Sequence, residues 1–131
     1  MTDSALTLLG LALRGNRLAV GEEPVKEACK ARRAWLVISA RDAADNSVGL
    51  AGRMAELGGV PWVRVPWDKE ALGNALGRKL CAVAALTDKG LASAFAEKLA
   101  QADESLRPAL ESLLNEKKKP RAQKKPAPRE S

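Results

Sequence analysis

The chain has no histidine and no tyrosine, and only one phenylalanine and two cysteines among its 131 residues. Without histidine there is no imidazole to serve as a general base or a metal ligand. Cys29 and Cys81 lie far apart among apolar neighbours, with no Cys-x-x-Cys pair, so zinc and thioredoxin-type chemistry lack their residues. Both cysteines read as small buried hydrophobes. No glycine-rich phosphate loop follows any strand-like run, and Gly49-x-x-Gly52 alone is too short a pattern to clamp a nucleotide. Neither a catalytic constellation nor a cofactor or small-molecule substrate is therefore expected. Long apolar runs are absent as well: nothing approaches the roughly 18 residues that span a bilayer. The opening "MTDSALTLLGLALRGNR" carries Asp3 where a secretory leader carries basic residues. A cytoplasmic protein with no membrane partner is the resulting expectation.

What the chain does have is charge, unevenly placed. The formal net charge is +6, and seven Lys/Arg against two Glu from 116 to 131 supply almost all of the excess. That segment, "NEKKKPRAQKKPAPRES" with residue 115 included, has three prolines and almost nothing to bury, and it reads as a disordered basic tail. Such a tail attracts phosphate without regard to sequence and selects no partner. A second group of basic residues, Arg14, Arg17, Lys26, Lys30, Arg32 and Arg33, gathers around the first turn and second helix, and Arg78-Lys79 precede the last strand.

Local patterns give the elements. Ser4 can cap a helix with Leu6, Leu9 and Leu13 on a broad apolar face, ended by Gly15-Asn16. A short strand from Arg17 to Val20 leads to Gly21 and a helix from about Glu23 to Arg33, with Pro24 in the first turn where a missing N–H costs least. "AWLVIS" is a strand buried on both faces. Asn46 or Ser47 caps a helix carrying Val48, Ala51, Met54, Ala55 and Leu57, stopped by Gly58-Gly59. Asp42 and Asp45, in the loop before it, read as turn and capping residues. "VPWVRVP" is a strand bounded by prolines and therefore exposed at its ends. Asp68 caps "KEALGNALG", "LCAVAAL" is a further buried strand, and Thr87 or Asp88 starts a long helix with Leu91, Phe95 and Leu99 in register. A last helix, Glu104 to Leu114, either packs weakly or extends from the body. Strands that alternate with helices in this way predict a three-layer α/β/α sandwich around a central mixed sheet of about four strands. The organisation expected is an α/β/α domain over 1–102, a helical extension over 103–115 and the tail over 116–131.

"LLGLALRGNRLAVGEEPVKEA", "AWLVISARDAADNS", "GVPWVRVPWDKEALGNALGRKL" and "CAVAALTDKGLASAF" together resemble the ribosomal L-seven-Ae family, in particular its small bacterial members. The likeness covers about residues 5 to 100. It implies the α/β/α fold and RNA binding, in many members at kinked internal loops with tandem sheared G·A pairs, within ribosomes and other ribonucleoprotein particles. The RNA site it implies falls on Gly21, Glu22, Glu23 and Lys26 at the second helix, and on Arg78, Lys79, Leu80 and Cys81 before the last strand. Arg17 and Lys30 join these as basic neighbours. Sheared pairs present guanine donors, which a Glu can accept and a Lys cannot. Backbone N–H groups at a helix start suit phosphate oxygens. Glu22 and Glu23 also complement the helix macrodipole, Glu22 chiefly so, with Glu23 as the base reader. The chain departs from kink-turn readers at Pro24, which replaces a polar residue, and at Glu27, which stands where they carry the helix lysine. Lys26 is then turned by about 100° from that position. Arg41-Asp42 replaces an acidic pair.

The function expected is that of a non-enzymatic RNA-binding protein, with rRNA or another structured RNA and the ribosome as partners, monomeric when free of RNA. The other reading is a protein–protein interaction module that keeps the fold and has lost kink-turn recognition, favoured by Pro24, Glu27 and the exposed-looking Trp62 and Trp67.

Overall fold

The computed structural model describes residues 4–118; the expected basic tail lies largely outside them. The elements in chain order are α1 (Ser4–Arg14), β1 (Leu18–Val20), α2 (Glu22–Lys30), β2 (Leu36–Ser39), α3 (Asp45–Gly58), β3 (Trp62–Arg64), α4 (Lys69–Ala75), β4 (Val83–Leu86), α5 (Lys89–Ala102) and, after a 3-10 turn at Glu104–Leu106, α6 (Arg107–Lys118). No helix among the described residues is long and apolar enough to cross a membrane.

The four strands form one mixed sheet in the order β1-β4-β2-β3. β4 runs antiparallel to both β1 and β2, and β3 runs parallel to β2. β2 and β4 are central and buried at every residue, as continuous apolar strands must be. The proline-bounded β3 sits at an edge, where missing ladder donors are tolerated.

Alternation along the strands divides the core in two. Leu36, Ile38, Ala84 and Leu86 face Leu9, Leu72, Phe95 and Leu99 of α1, α4 and α5. Val37, Val83 and Ala85 face Val25, Ala28, Met54 and Ala55 of α2 and α3. Two apolar clusters on opposite faces of one sheet make the three-layer α/β/α sandwich, as the alternating pattern implies.

Several local expectations are revised. α2 ends at Lys30 rather than Arg33, because Arg32 adopts a left-handed φ of 59° that turns the chain out of the helix. The cap of α3 is Ala44, not Asn46 or Ser47; the Ser47 hydroxyl instead donates to Glu22 Oε2 at 3.3 Å. Asp68 and Asp88 do cap α4 and α5, each accepting from the N–H three residues on at 2.8 Å. The last helix packs rather than projects: Leu110, Leu113 and Leu114 are buried in the same cluster as α1, α4 and α5. Trp62 and Trp67 are half-buried and engaged. The Trp62 indole donates to Ser39 Oγ at 3.1 Å, and Trp67 lies 6.2 Å from the Phe95 ring.

Candidate functional site

β1 is three residues long, and its register with β4 pairs Val20 with Ala84. One residue further, the Gly21 N–H donates to the Val83 carbonyl at 3.0 Å. The chain that enters β4 is thereby laid beside the chain that leaves β1 and opens α2. Gly21 is the N-cap, with φ 100° and ψ 163°, a backbone conformation that costs an L side chain dearly. Its carbonyl accepts from Val25 N–H at 3.1 Å, and Pro24 has no N–H. The amides of Glu22 and Glu23 are the first-turn donors that have no carbonyl a helical turn behind them. Glu22 leans on α3 through Ser47, whereas Glu23 is exposed and makes no comparable tie.

The loop before β4 is shaped by α4. Gly77 takes φ +74°, and Arg78 N–H returns to the Gly73 carbonyl at 2.8 Å. Cys81 N–H donates to the Lys69 carbonyl at 3.0 Å, so the loop lies flat along the helix. Gly73 makes this possible: a Cβ there would stand 2.7 Å from the Lys79 carbonyl oxygen. Folded back in this way, the loop exposes Arg78, Lys79 and an apolar residue, Leu80, which is 57% exposed. Cys81 next to it is only 4% exposed. Burial pushes its thiol above the ordinary value, against smaller lowering effects from the Arg78 charge and a hydrogen bond with the Val83 backbone.

A third segment reaches the same end of the sheet. Ala40 N–H donates to the Ala82 carbonyl at 2.9 Å, which brings the loop after β2 against the loop before β4. Asp42 there accepts from Lys69 N–H at 2.8 Å, the turn-fixing role expected of it. Arg41 donates to the Pro66 carbonyl at 3.2 Å and sits 3.5 Å from Asp68. This segment joins the site through tertiary contact; the hints in the sequence are its position after a buried strand and Arg41-Asp42 at the place of the family's acidic pair.

With Lys26 about 6 Å along α2 from Glu22, the residues Gly21, Glu22, Glu23, Arg78, Lys79, Leu80 and Cys81 meet at one end of the sheet. Arg17 and Lys30 do not. Arg17 is at the start of β1, about 13 Å of extended chain from Gly21, and its guanidinium is held 2.8 Å from Asp88. Lys30 is at the far end of α2, about 12 Å along the helix from Glu22. The end that holds the candidate site is nearly neutral. Glu22, Glu23, Asp42, Asp45, Asp68 and Glu70 offset Lys26, Arg41, Arg64, Lys69, Arg78 and Lys79. Hydrogen-bond donors, acceptors and one exposed apolar side chain, rather than bulk charge, are what this surface offers.

The α/β/α domain thus presents a helix start, an apolar-tipped basic loop and a third loop at one end of a mixed sheet. The chain belongs to the Ribosomal protein L7Ae/L30e/S12e/Gadd45 family, whose model matches residues 3–96. It is 33% identical over 86 residues to RNA-binding protein YlxQ of Bacillus subtilis (strain 168), covering 66% of this chain and 85% of that protein. A protein of unknown function from Bacillus halodurans C superposes with a TM-score of 0.68 at 28% identity, over 75% of this chain and 98% of that one. The Giardia lamblia 15.5kD RNA binding protein shares the fold, with a TM-score of 0.60 at 22% identity, over 87% of this chain and 93% of its own.

Proposed function

We propose that the protein is a non-enzymatic RNA-binding protein of the cytoplasm, associated with the ribosome or another ribonucleoprotein particle and monomeric when free of RNA. The observation that carries the reading is the Gly21 to Val83 hydrogen bond at 3.0 Å, which sets the α2 start beside the Arg78–Cys81 loop. The likeness to a protein named as RNA-binding supports it. The α/β/α body, into whose core α6 also packs, does the recognition, and the basic segment 116–131 adds salt-sensitive phosphate attraction.

Structured RNA with unstacked or non-standard pairs, of which a kink-turn-like internal loop is one form, suits this surface best. Glu23 is free to accept from guanine edges, the Glu22 and Glu23 amides and Lys26, Arg78 and Lys79 meet phosphates, and Leu80 packs beneath an extruded base. Protein docking is the weaker reading, since Trp62 and Trp67, two of the residues that favour it, are committed to Ser39 and Phe95.

Crosslinking in cells followed by sequencing of the attached RNA tests the proposal. Recovery of one rRNA segment or another structured RNA is expected; recovery of protein partners with no RNA would refute it. In vitro, Lys26→Ala and Arg78→Ala should weaken binding to the recovered RNA more than Arg107→Ala on α6 does. Equal losses from all three would mean the site is misplaced.

A further inference from the structure

The two basic residues that fold away from the candidate site are part of a larger arrangement. In the sheet, Thr87 N–H donates to the Arg17 carbonyl at 3.0 Å and Trp35 N–H donates to the Leu86 carbonyl at 2.7 Å. Arg17, Thr87 and Trp35 therefore sit on adjacent rungs at the end opposite Gly21, within about 10 Å across the sheet. The C-terminal ends of α1 and α2 and the N-terminal end of α5 arrive at the same place. They bring Arg14 and Lys89 from the α1/α5 face, and Lys30, Arg32 and Arg33 from the α2/α3 face, to the same end of the sheet as Arg17. Against these cations stand, among the described residues, Asp88, Glu27 in the last turn of α2 and, at the end of α3, Glu56.

Asp88 is already engaged, since one oxygen holds Arg17 at 2.8 Å and the other caps α5 through Leu91 N–H at 2.8 Å. Arg14, Lys30, Arg32 and Arg33 have no ion-pair partner among the described residues. Lys89 Nζ lies 5.6 Å from the centre of the Trp35 ring. Helix electrostatics accounts for part of this cluster: Arg14 and Lys30 occupy last turns, where a cation complements the dipole. It does not account for Lys89, which opens a helix and opposes the dipole. Arg32 takes a left-handed turn position that glycine or asparagine fills at less cost, and its Nη1 lies beside Gly59, the C-cap of α3, where a cation again complements a helix dipole.

We propose that this end of the sheet is a second RNA surface, which takes the phosphate backbone of a regular duplex by charge, while the Gly21 end reads structure. The inference rests on the RNA-binding reading above. It divides recognition between two ends of the protein, so that one molecule bridges a structured element and a neighbouring helical stem. A regular duplex suits the far end because that surface offers cations and no exposed acceptor-rich edge for reading bases.

The test compares the full chain with two variants, on a perfectly paired RNA duplex and on an internal-loop RNA, across a salt series. The far-end variant is Arg14→Gln, Lys30→Gln, Arg32→Gln and Arg33→Gln together; the near-end variant is Lys26→Gln, Arg78→Gln and Lys79→Gln. The tail is identical in all of them. For the duplex, the far-end variant should bind about tenfold or more weakly at 0.1 M salt, with a log–log salt slope lowered by about two to three. The near-end variant should lose mainly the internal-loop RNA. A variant with Arg14→Lys, Arg32→Lys and Arg33→Lys should keep the wild-type slope, and thermal melts should show all of them folded. Unchanged duplex affinity and slope in the far-end variant, with wild type binding both RNAs, would overturn this inference alone. Failure of wild type to bind either RNA would overturn the RNA reading itself. Displacement of the duplex by polyglutamate as readily as by RNA of equal charge would assign the surface to acidic protein instead.

Discussion

Replacing Gly73 with alanine should destabilise the protein, although the same change in an unobstructed helix does the opposite. Alanine is favoured over glycine by about 0.5–1 kcal/mol in a helix interior. At Gly73, however, the added Cβ would stand 2.7 Å from the Lys79 carbonyl oxygen and 2.8 Å from both the Arg78 carbonyl oxygen and the Leu80 nitrogen. All three are backbone atoms, so no side chain can rotate away; the loop itself must lift from α4. Overpacking of this kind costs about 1–3 kcal/mol, and the net effect should be a loss of about 1–2 kcal/mol. Gly52 in α3 is the control, because nothing lies within 4 Å of its added Cβ. Gly52→Ala should therefore stabilise by about 0.5–1 kcal/mol. Urea unfolding of the three proteins measures both signs. Because the displaced segment carries Arg78 to Leu80, Gly73→Ala should also weaken RNA binding severalfold, and Gly52→Ala should leave it unchanged. A Gly73→Ala protein as stable as wild type would refute the packing argument. One that is destabilised yet binds RNA normally would remove the loop from the interface.

Gly21→Ala should cost about 1–2 kcal/mol through its φ of 100° alone, since the added Cβ would meet Pro24 only at an ordinary 3.7 Å; a neutral result in denaturant would mean that the turn relaxes freely. Leu110→Ala should cost about 2–5 kcal/mol, because the side chain is fully buried against the α1, α4 and α5 face; a loss under about 1 kcal/mol would make α6 peripheral to the core. Burial raises the thiol pKa of both Cys29 and Cys81, so neither should react appreciably with iodoacetamide at pH 8 until the protein unfolds. By linkage, the unfolded thiols ionise first, from about pH 8.5 upward. The contribution of both thiols to stability is thus present below that value and falls as pH rises above it. Rapid alkylation of the native protein, or stability that increases across that range, would contradict their burial.

Much of the fold is legible in the order of residues because the signals are local. Asp68 and Asp88 announce their helices by capping chemistry, and "AWLVIS" and "LCAVAAL" announce buried strands by having no polar face. The proline-bounded "VPWVRVP" announces an edge strand. Errors fall where a neighbour distant in sequence overrides a local preference. Ser47 is a good cap residue, but its hydroxyl serves Glu22 on another helix, and the cap shifts to Ala44. Arg33 reads as helical until the Arg32 turn and the bond from Arg33 N–H to the Ala28 carbonyl, 2.8 Å, end α2 early. Leu110, Leu113 and Leu114 look like a marginal stripe in isolation and become core only because α5 supplies the opposing face.

The sequence by itself determines the α/β class, the elements and the family, since periodicity, caps and motif order are properties of short stretches. Which residues share a surface is decided by tertiary structure. The order β1-β4-β2-β3 sets Val83 against Gly21 and so joins two segments about sixty residues apart into one candidate site. The same pairing sends Arg17 and Lys30 to the other end, although in the chain they lie closer to Gly21 than Arg78 does. Strand order follows from how two apolar faces are buried at once by helices that are distant in sequence, a condition no local window contains.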